Sequence, residues 1–201
     1  MNKILFFLPG LKNTIIKIFT EENWFFKDEK ILEIEKNNFK NFSEDQIIFD
    51  FLEKNEIKLE NISKIFFCNW PWRFMSMRIS AIIVNTFKNQ NPRIKLFSIP
   101  TVKFLSEKSK WENIFLQLNN SEVFTLIDWE EKIYLREDLE NKFSWKNKIF
   151  FYWNLKKWLF DFENFEEVEE ENLISDEKIL ENFSKKWEKF LADQIKIFYG
   201  K

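Results

Sequence analysis

Residues 62–80 have the sequence Ile-Ser-Lys-Ile-Phe-Phe-Cys-Asn-Trp-Pro-Trp-Arg-Phe-Met-Ser-Met-Arg-Ile-Ser, and they are the most informative stretch of this 201-residue chain. Residues 64–68 are apolar on both faces of an extended chain, which is typical of a central strand with parallel neighbours. Residues 76–87 follow after a loop and carry apolar side chains at helical spacing. The segment therefore predicts a buried strand, a loop and a helix.

Three strands and one helix are predicted before this segment. The strands are apolar runs separated by short turns, as in an antiparallel meander, and they cover residues 3–8, 13–20 and 24–35. The residues expected on or near the buried face of the third strand are Ile31, Leu32 and Ile34. Ser43 and Gln46 form a capping box for the helix, which ends at Asn55. Its apolar residues at helical spacing are Ile47, Ile48, Phe51 and Leu52.

A fifth strand, residues 94–99, and a short helix, residues 100–106, are predicted after the segment. The element order is therefore βββ-α-β-α-β-α. A meander followed by alternating helices and strands is the half-fold of the actin-like, Hsp70-like and sugar-kinase (ASKHA) proteins, although other α+β folds share this order. We predict an α/β protein whose actin-like N-terminal lobe covers residues 1–108.

A smaller, degenerate second lobe of α+β type is predicted for residues 109–201. Its predicted strands are residues 123–128, 132–136 and 148–153, with a closing strand at residues 195–199. An acidic loop is expected at residues 161–171. Ser175 is expected to cap a final helix whose apolar stripe extends to Leu191.

The composition excludes most familiar enzyme sites. The chain has no His, one Cys and two Gly, which are Gly10 and Gly200. A Ser-His-Asp triad, a Cys-His pair, an imidazole base and a paired-cysteine zinc site are therefore absent. Neither common Gly-rich phosphate-binding loop can be built, because each needs glycines where the backbone approaches an anion closely. We expect no cofactor, no metal and no enzymatic activity.

Charge is distributed unevenly along the chain. Residues 61–110 contain nine basic residues against Glu107 alone, a net charge of +8, so the rest of the chain carries −10. This asymmetry suggests a charged partner, either an acidic subunit or RNA. The other explanation is that the two regions neutralise each other within the fold or simply face water.

The loop and helix after the central strand resemble those of one protein family. Four residues fall without a gap on the Pro, Phe, Arg and Ile of the pattern GPGSFTGxRIG, and they are Pro71, Phe74, Arg78 and Ile79. This pattern is typical of the TsaB family, the non-catalytic subunits of the bacterial machinery that forms tRNA threonylcarbamoyladenosine. Further similarities to the family lie at residues 123–128, Tyr134 and residues 197–199.

The same loop departs from the family at positions where a nucleotide-binding relative places phosphates or a metal. Trp70 and Trp72 replace glycines, Met77 replaces a third glycine if the pattern is shifted by one residue, and Leu8-Pro9-Gly10 replaces the Asp-Thr-Ser that follows the first strand. The resemblance therefore implies a degenerate loop, in which indole and phenyl rings fill the cleft. The residues of this degenerate loop are Trp70, Pro71, Trp72, Arg73 and Phe74.

The resemblance implies a scaffold subunit of a tRNA-modifying transferase complex rather than an enzyme. Its partner would be a TsaD-like catalytic subunit, bound as a heterodimer through the first two helices, with a TsaE-like ATPase as a further partner and tRNA contacted indirectly. The partner-binding residues would be Ile47, Ile48, Phe51, Arg78, Ile79, Ile82 and Ile83. Residues 81–84 are all apolar, and Phe49 and Phe51 flank Asp50, so both helices have a second apolar side available for packing.

Three other interpretations stay open. In the first, the two helices cover only their own sheet. In the second, they form a homodimer through the same surface. The third interpretation is an RNA-binding or ribosome-associated module that uses the basic residues 61–110. In that module, aromatic rings and guanidinium groups would stack on bases and contact phosphate. The residues that carry these groups are Trp70, Trp72, Phe74, Arg73 and Arg78.

The cellular location is expected to be the cytoplasm. The first residues do not form a signal-peptide pattern, and no uncharged apolar run approaches the roughly 20 residues that a membrane helix needs. We therefore expect no contact with a membrane.

Overall fold

The computed structural model describes residues 2–9, 13–22, 25–35, 44–69, 74–101, 103–104, 113–117, 121–127, 130–135, 137–138, 149–152, 165–167 and 187–196. The chain divides into two compact units, Met1–Thr101 with Asp176–Lys201, and Val102–Ser175. The sequence suggested a first lobe over residues 1–108 and a second over 109–201. The structure instead groups the C-terminal residues with the first unit, because part of them pairs with its sheet.

Eleven strands and two α-helices of ten or more residues are assigned within the described residues. The strands are β1 (Asn2–Pro9), β2 (Asn13–Glu22), β3 (Phe25–Glu35), β4 (Ile62–Asn69), β5 (Lys95–Pro100), β6 (Asn113–Gln117), β7 (Glu122–Ile127), β8 (Glu130–Leu135), β9 (Ile149–Tyr152), β10 (Phe165–Glu167) and β11 (Leu191–Ala192). The helices are α1 (Glu44–Lys54) and α2 (Phe74–Gln90), and 3-10 turns lie at Leu59–Asn61 and Trp187–Phe190. The short helix predicted after β5 is seen in part, since Thr101, Lys103 and Phe104 are helical.

The first unit is built on a six-stranded mixed sheet with the order β11-β5-β4-β1-β2-β3. β4 lies between β1 and β5 and is parallel to both, whereas β1, β2 and β3 form an antiparallel meander. Parallel neighbours cannot be joined by a tight turn, so the chain crosses over between them, and α2 makes the crossover from β4 to β5. This element order is the predicted one.

The core of the first unit lies on the central strands. β1 is buried from Ile4 to Leu8, so both of its faces are covered. β4 contributes Phe66 and Phe67, and the Phe66 ring stacks on Phe97 of β5 with ring centroids 4.8 Å apart. The predicted central position of β4 is confirmed, since β4 lies between β5 and β1. A strand covered on both faces must be apolar on both, which is why its sequence predicted this position.

The edge strand β3 shows where the burial prediction was only partly correct. Ile34 is buried and Leu32 is half-buried, as expected, but Ile31 is 57% exposed. Successive side chains on a strand point to opposite faces, so the face that buries Leu32 and Ile34 turns Ile31 outward. The prediction for Ile31 was therefore wrong.

The two helices lie side by side, since α1 contacts α2 and β3, while α2 also contacts β1 and β4. α1 ends as predicted, because the Asn55 Nδ2 donates to the Phe51 carbonyl at 2.7 Å and Glu56 adopts a φ of 56°. α2 extends beyond the predicted residues 76–87 at both ends. Neither helix, in the part of the chain that the structure describes, is long and apolar enough to cross a membrane.

The C-terminal segment, residues 187–196, returns to the first unit. After the 3-10 turn, β11 pairs antiparallel with β5, with Leu191 opposite Phe97 and Ala192 opposite Leu96. The predicted α-helix is a 3-10 turn at residues 187–190. It was wrong at Leu191, because the edge of β5 offers unpaired backbone groups to this residue. Residues 195 and 196, which begin the predicted closing strand, are not part of a strand in the structure. Residues 197–199 and the earlier part of the predicted helix lie outside the described residues.

The second unit contains a five-stranded sheet with the order β10-β9-β6-β7-β8. β6, β7 and β8 are antiparallel neighbours, whereas β9 is parallel to β6 and β10 is parallel to β9. The three strands predicted at residues 123–128, 132–136 and 148–153 are confirmed as β7, β8 and β9. β6 and β10 were not predicted, and β10 falls within the stretch predicted to be an acidic loop.

Candidate functional site: the outer surface of α1 and α2

The seam between α1 and α2 is closed by an aromatic pair. The Phe49 ring of α1 meets the Phe87 ring of α2 edge to face, with centroids 5.8 Å apart and an interplanar angle of 77°. This geometry is favourable for two rings, since the positive edge of one faces the negative face of the other. Phe87 is buried, but Phe49 is 46% exposed, so the aromatic surface continues from the seam to the outside.

The predicted partner-binding residues separate into three groups by burial. Ile48 and Ile83 are buried in the core, so they stabilise the unit and are not available to a partner. The half-buried residues are Ile47, Phe51 and Ile79. Arg78 and Ile82 are exposed, and Ile82 reaches 64%. The outward surface of the pair therefore carries Phe49 and Ile82 as its large exposed apolar groups.

The two helices differ in charge. α1 carries four acidic residues and one basic residue, which are Glu44, Asp45, Asp50, Glu53 and Lys54. α2 carries Arg78 and Lys88 and no acidic residue. A protein that binds across both helices would therefore need basic groups opposite α1 and acidic groups opposite α2.

A groove of about 740 Å³ lies beside the C-terminal ends of α1 and α2. Its apolar lining residues are Phe49, Leu52, Ile57, Leu59, Ile62 and Phe87. Charged residues at the same groove are Glu53, Glu56 and Lys58. The sequence indicated Phe49 as a second apolar side of α1, but no local pattern could predict the groove, because it forms from segments that meet only in the folded chain.

The degenerate loop lies mostly outside the described residues. This applies to Trp70, Pro71, Trp72 and Arg73, while Phe74 is the first residue of α2 and its side chain is not described. The residue before the loop, Asn69, ends β4, and its Nδ2 donates to the Lys196 carbonyl at 2.9 Å. The filling of a cleft by the loop's aromatic rings stays a prediction.

Part of the basic segment is engaged within the fold. The Lys64 Nζ forms an ion pair with the Glu21 carboxylate at 2.6 Å, which joins β4 to β2 across β1. The Lys88 Nζ donates to the carbonyls of Pro92 and Ile94 at 2.9 and 2.7 Å. The ion pair of Lys64 with Glu21 agrees with the interpretation that some of the charge asymmetry is neutralised internally.

Among the described residues, Cys68 and the acidic side chains are the remaining candidates for a reactive or metal-binding site. Burial of Cys68 in β4 raises the pKa of its thiol, so the group stays neutral at physiological pH. Within the described ranges, no three Cys, Asp or Glu residues lie close enough together to hold a metal ion.

A second exposed apolar patch lies on β8, in the other unit. Ile133 is 50% exposed, and Leu135 is exposed to a similar extent. A hydrogen bond and ion pair between Lys132 and Glu130 lower the pKa of the Glu130 carboxyl and raise that of the Lys132 ammonium. No prediction assigned a role to this patch, so Ile133 is a suitable control position for experiments on α1 and α2.

Comparison with solved structures supports the fold prediction. No protein-family model matches the sequence, and no curated protein matches it either. A Pseudomonas aeruginosa structure, described as an uncharacterized protein with similarity to the peptidase YeaZ, aligns over 99% of both chains with a TM-score of 0.69 and 12% identity. YeaZ from Pseudomonas aeruginosa aligns over 96% of both chains with a TM-score of 0.63 and 13% identity.

The chain has a YeaZ-like fold. YeaZ is another name for TsaB, so the predicted resemblance to TsaB is confirmed at the level of the fold, over nearly the whole chain. The mixed sheet, with its meander and crossovers, likewise confirms the predicted α/β fold of the actin-like ASKHA type. In this YeaZ-like fold, α1 and α2 are the first two α-helices among the described residues.

Proposed function

We propose that this chain is a non-catalytic scaffold subunit that resembles TsaB and binds a TsaD-like catalytic subunit in tRNA threonylcarbamoyladenosine modification. The observation that carries the proposal is the exposure of Phe49 and Ile82 on two adjacent helices of a YeaZ-like fold. These helices are the ones that the resemblance to TsaB assigns to partner binding.

The proposed binding energy comes from burial of the outer surface of α1 and α2. A specific interface buries about 1,200–2,000 Å² in total, and a few central apolar or aromatic residues contribute most of the affinity. Phe49 and Ile82 fit such a central position, because each is large, apolar and about half or more exposed. The acidic residues of α1 and Arg78 of α2 would lie at the rim and orient the partner.

A non-catalytic role is supported by the composition. The chain contains no His at all, and neither of its two glycines lies in the loop that follows β4. A general base of the imidazole type and a glycine-lined phosphate cradle are therefore both absent from the sequence. Catalysis would belong to the partner subunit.

The direct test is to mix the purified chain with the TsaD-like subunit of the same organism at micromolar concentration. Size-exclusion chromatography with light scattering should give a species with the mass of a 1:1 heterodimer. The same experiment with Ile133→Asp should give the same mass, because this substitution lies in the other unit. Two separate monodisperse peaks would contradict the proposal.

A homodimer and an RNA-binding module would each give a different result from the proposed scaffold. A homodimer through α1 and α2 would appear as a doubled mass of the chain alone, and the TsaD-like subunit would convert it to the heterodimer if the surface is shared. An RNA-binding module would bind tRNA without any partner, with an affinity that falls steeply between low and physiological salt. Tight, salt-dependent tRNA binding by the isolated chain, without heterodimer formation, would favour that module over the proposed scaffold.

A further inference from the structure

The C-terminal residues 191–196 are attached to the first unit by a short strand pairing. Leu191 and Ala192 pair with Phe97 and Leu96 of β5, and in the described part of the chain this ladder covers two residue pairs. A ladder of this length contributes few hydrogen bonds compared with the pairing between β1 and β4. Other contacts must therefore hold the rest of the segment.

Side-chain amides supply these contacts. The Asn85 Oδ1 accepts a hydrogen bond from the Ile195 backbone N–H at 2.8 Å, and its Nδ2 donates to the Ile195 carbonyl at 3.2 Å. Asn85 thus satisfies both backbone groups of one residue, as a neighbouring strand does. The Asn69 Nδ2 donates to the next carbonyl, that of Lys196, at 2.9 Å.

The remainder of the segment is loosely packed. Leu191 is 57% exposed, Asp193 and Gln194 are exposed, and Ile195 is the one buried side chain among residues 191–196. An open depression of about 600 Å³ is lined by the segment and by Ser98 of β5. A stretch with few buried apolar contacts and exposed backbone is expected to open locally at a lower free energy than the surrounding sheet.

We propose that residues 191–196 form a strap that opens as a unit while the sheet of the first unit stays folded, and that Asn85 is its latch. Opening breaks the two amide hydrogen bonds to Ile195, withdraws its side chain and frees the outer edge of β5. Because Asn85 lies one turn after Ile82 on α2, the strap also borders the exposed stripe of that helix. The strap is a conformational device of the fold, and it does not depend on the identity of any partner.

The test is hydrogen–deuterium exchange with mass spectrometry on the full-length chain and its Asn85→Ala variant. Loss of the two hydrogen bonds should speed exchange in peptides that cover residues 191–196 by about tenfold to a hundredfold. Peptides from β1 and β4 should exchange as in the unsubstituted chain. Asn89→Ala is the matched control, since Asn89 is exposed on the same helix one turn later, and it should leave the strap unchanged.

Two results would overturn the proposal. Unchanged exchange at residues 191–196 in Asn85→Ala would show that Asn85 is not the latch. Equal acceleration in the strap, β1 and β4 would show that the segment belongs to one cooperative unit with the sheet. Asn85→Asp is a second check, because it keeps the acceptor for the Ile195 N–H but places a carboxylate oxygen against the Ile195 carbonyl oxygen, so exchange in the strap should again be faster than in the unsubstituted chain.

Discussion

Substitution of Ile82 by Asp should weaken binding of the TsaD-like subunit at least about a hundredfold without unfolding the chain. Complete burial of an isoleucine side chain contributes about 1.5–3 kcal/mol. Because 64% of Ile82 is exposed, its burial by a partner would contribute about 1–2 kcal/mol, and Ile82→Ala should lose about that amount. The aspartate adds the desolvation of a carboxylate without a partner, a further penalty of at least about 2 kcal/mol. The total of about 3 kcal/mol or more corresponds to a dissociation constant raised at least about a hundredfold.

Two measurements separate this effect from loss of the fold. Isothermal titration calorimetry gives the dissociation constant for the unsubstituted chain, Ile82→Ala and Ile82→Asp, in that expected order of weakening. Urea denaturation gives the free energy of unfolding, which should change by no more than about 0.5 kcal/mol, since exposed surface positions tolerate substitution. Ile133→Asp has a similar exposure on β8 and should leave the dissociation constant unchanged, while its free energy of unfolding falls by about 1 kcal/mol at most because Asp is unfavourable in a strand.

The reasoning fails if Ile82→Asp binds the TsaD-like subunit as tightly as the unsubstituted chain. It also fails if Ile133→Asp weakens binding as much as Ile82→Asp, because the effect would then not be specific to the outer surface of α2. A large loss in the free energy of unfolding for Ile82→Asp would contradict the exposed position of this residue.

Three further predictions concern the core and its polar contacts. Phe66→Ala should lower the free energy of unfolding by about 3–5 kcal/mol in a denaturant titration, since this buried ring stacks on Phe97 at 4.8 Å and its removal leaves a cavity. Lys64→Met should lower it by about 1.5–3 kcal/mol, because Glu21 is left without its partner in a mostly buried position, and a double-mutant cycle with Glu21→Gln should show coupling. The Cys68 thiol should resist Ellman's reagent at pH 8 in the native chain and react fully in urea, and rapid labelling of the native chain would contradict its burial. Burial raises the pKa of this thiol, so the thiol of the unfolded chain ionises at a lower pH than that of the native chain. The free energy of unfolding should therefore fall as the pH rises above about 8.5.

The elements that the sequence predicts well are those with local signals. Residues 64–68 form an unbroken apolar run, which is sufficient to predict a central strand, and β4 occupies that position. Ser43 and Gln46 mark the beginning of a helix, and α1 begins at Glu44. Capping and alternation depend on neighbours a few residues apart, so they are visible without knowledge of the fold.

Two of the three strands that the sequence did not predict are very short. β6 has five residues, but β10 has three and β11 has two. β10 and β11 have too few residues to show a periodicity, and they become strands because an edge or a neighbour is available for pairing. β11 illustrates this most clearly, since its partner β5 lies about ninety residues earlier in the chain. The return of the C-terminal segment to the first unit was therefore not predictable from local patterns.

The candidate surface was predicted as a pair of helices, but not side chain by side chain. Residues 81–84 of α2 are consecutive apolar residues that point in several directions around the helix axis, so periodicity alone does not separate a buried from an exposed one. The packing of α2 against β1, β4 and α1 decides which of these residues are buried: Ile83 is buried and Ile82 is exposed. On α1 the same effect buries Ile48 and exposes Phe49.

The geometry of α2 limits how a partner can bind. One side of the helix faces the sheet, and its buried residues include Met77, Ala81 and Val84. A second side meets α1 through Phe87 and Phe49, and Asn85, which holds the strap, lies two turns after Arg78 on the same side of the helix as Arg78. The remaining stripe, with Arg78 and Ile82, is too narrow by itself for the roughly 800 Å² that each protein contributes to a typical specific interface. A stable complex at this surface therefore needs α1 as well, and Phe49 is the side chain that joins the two helices into one apolar surface.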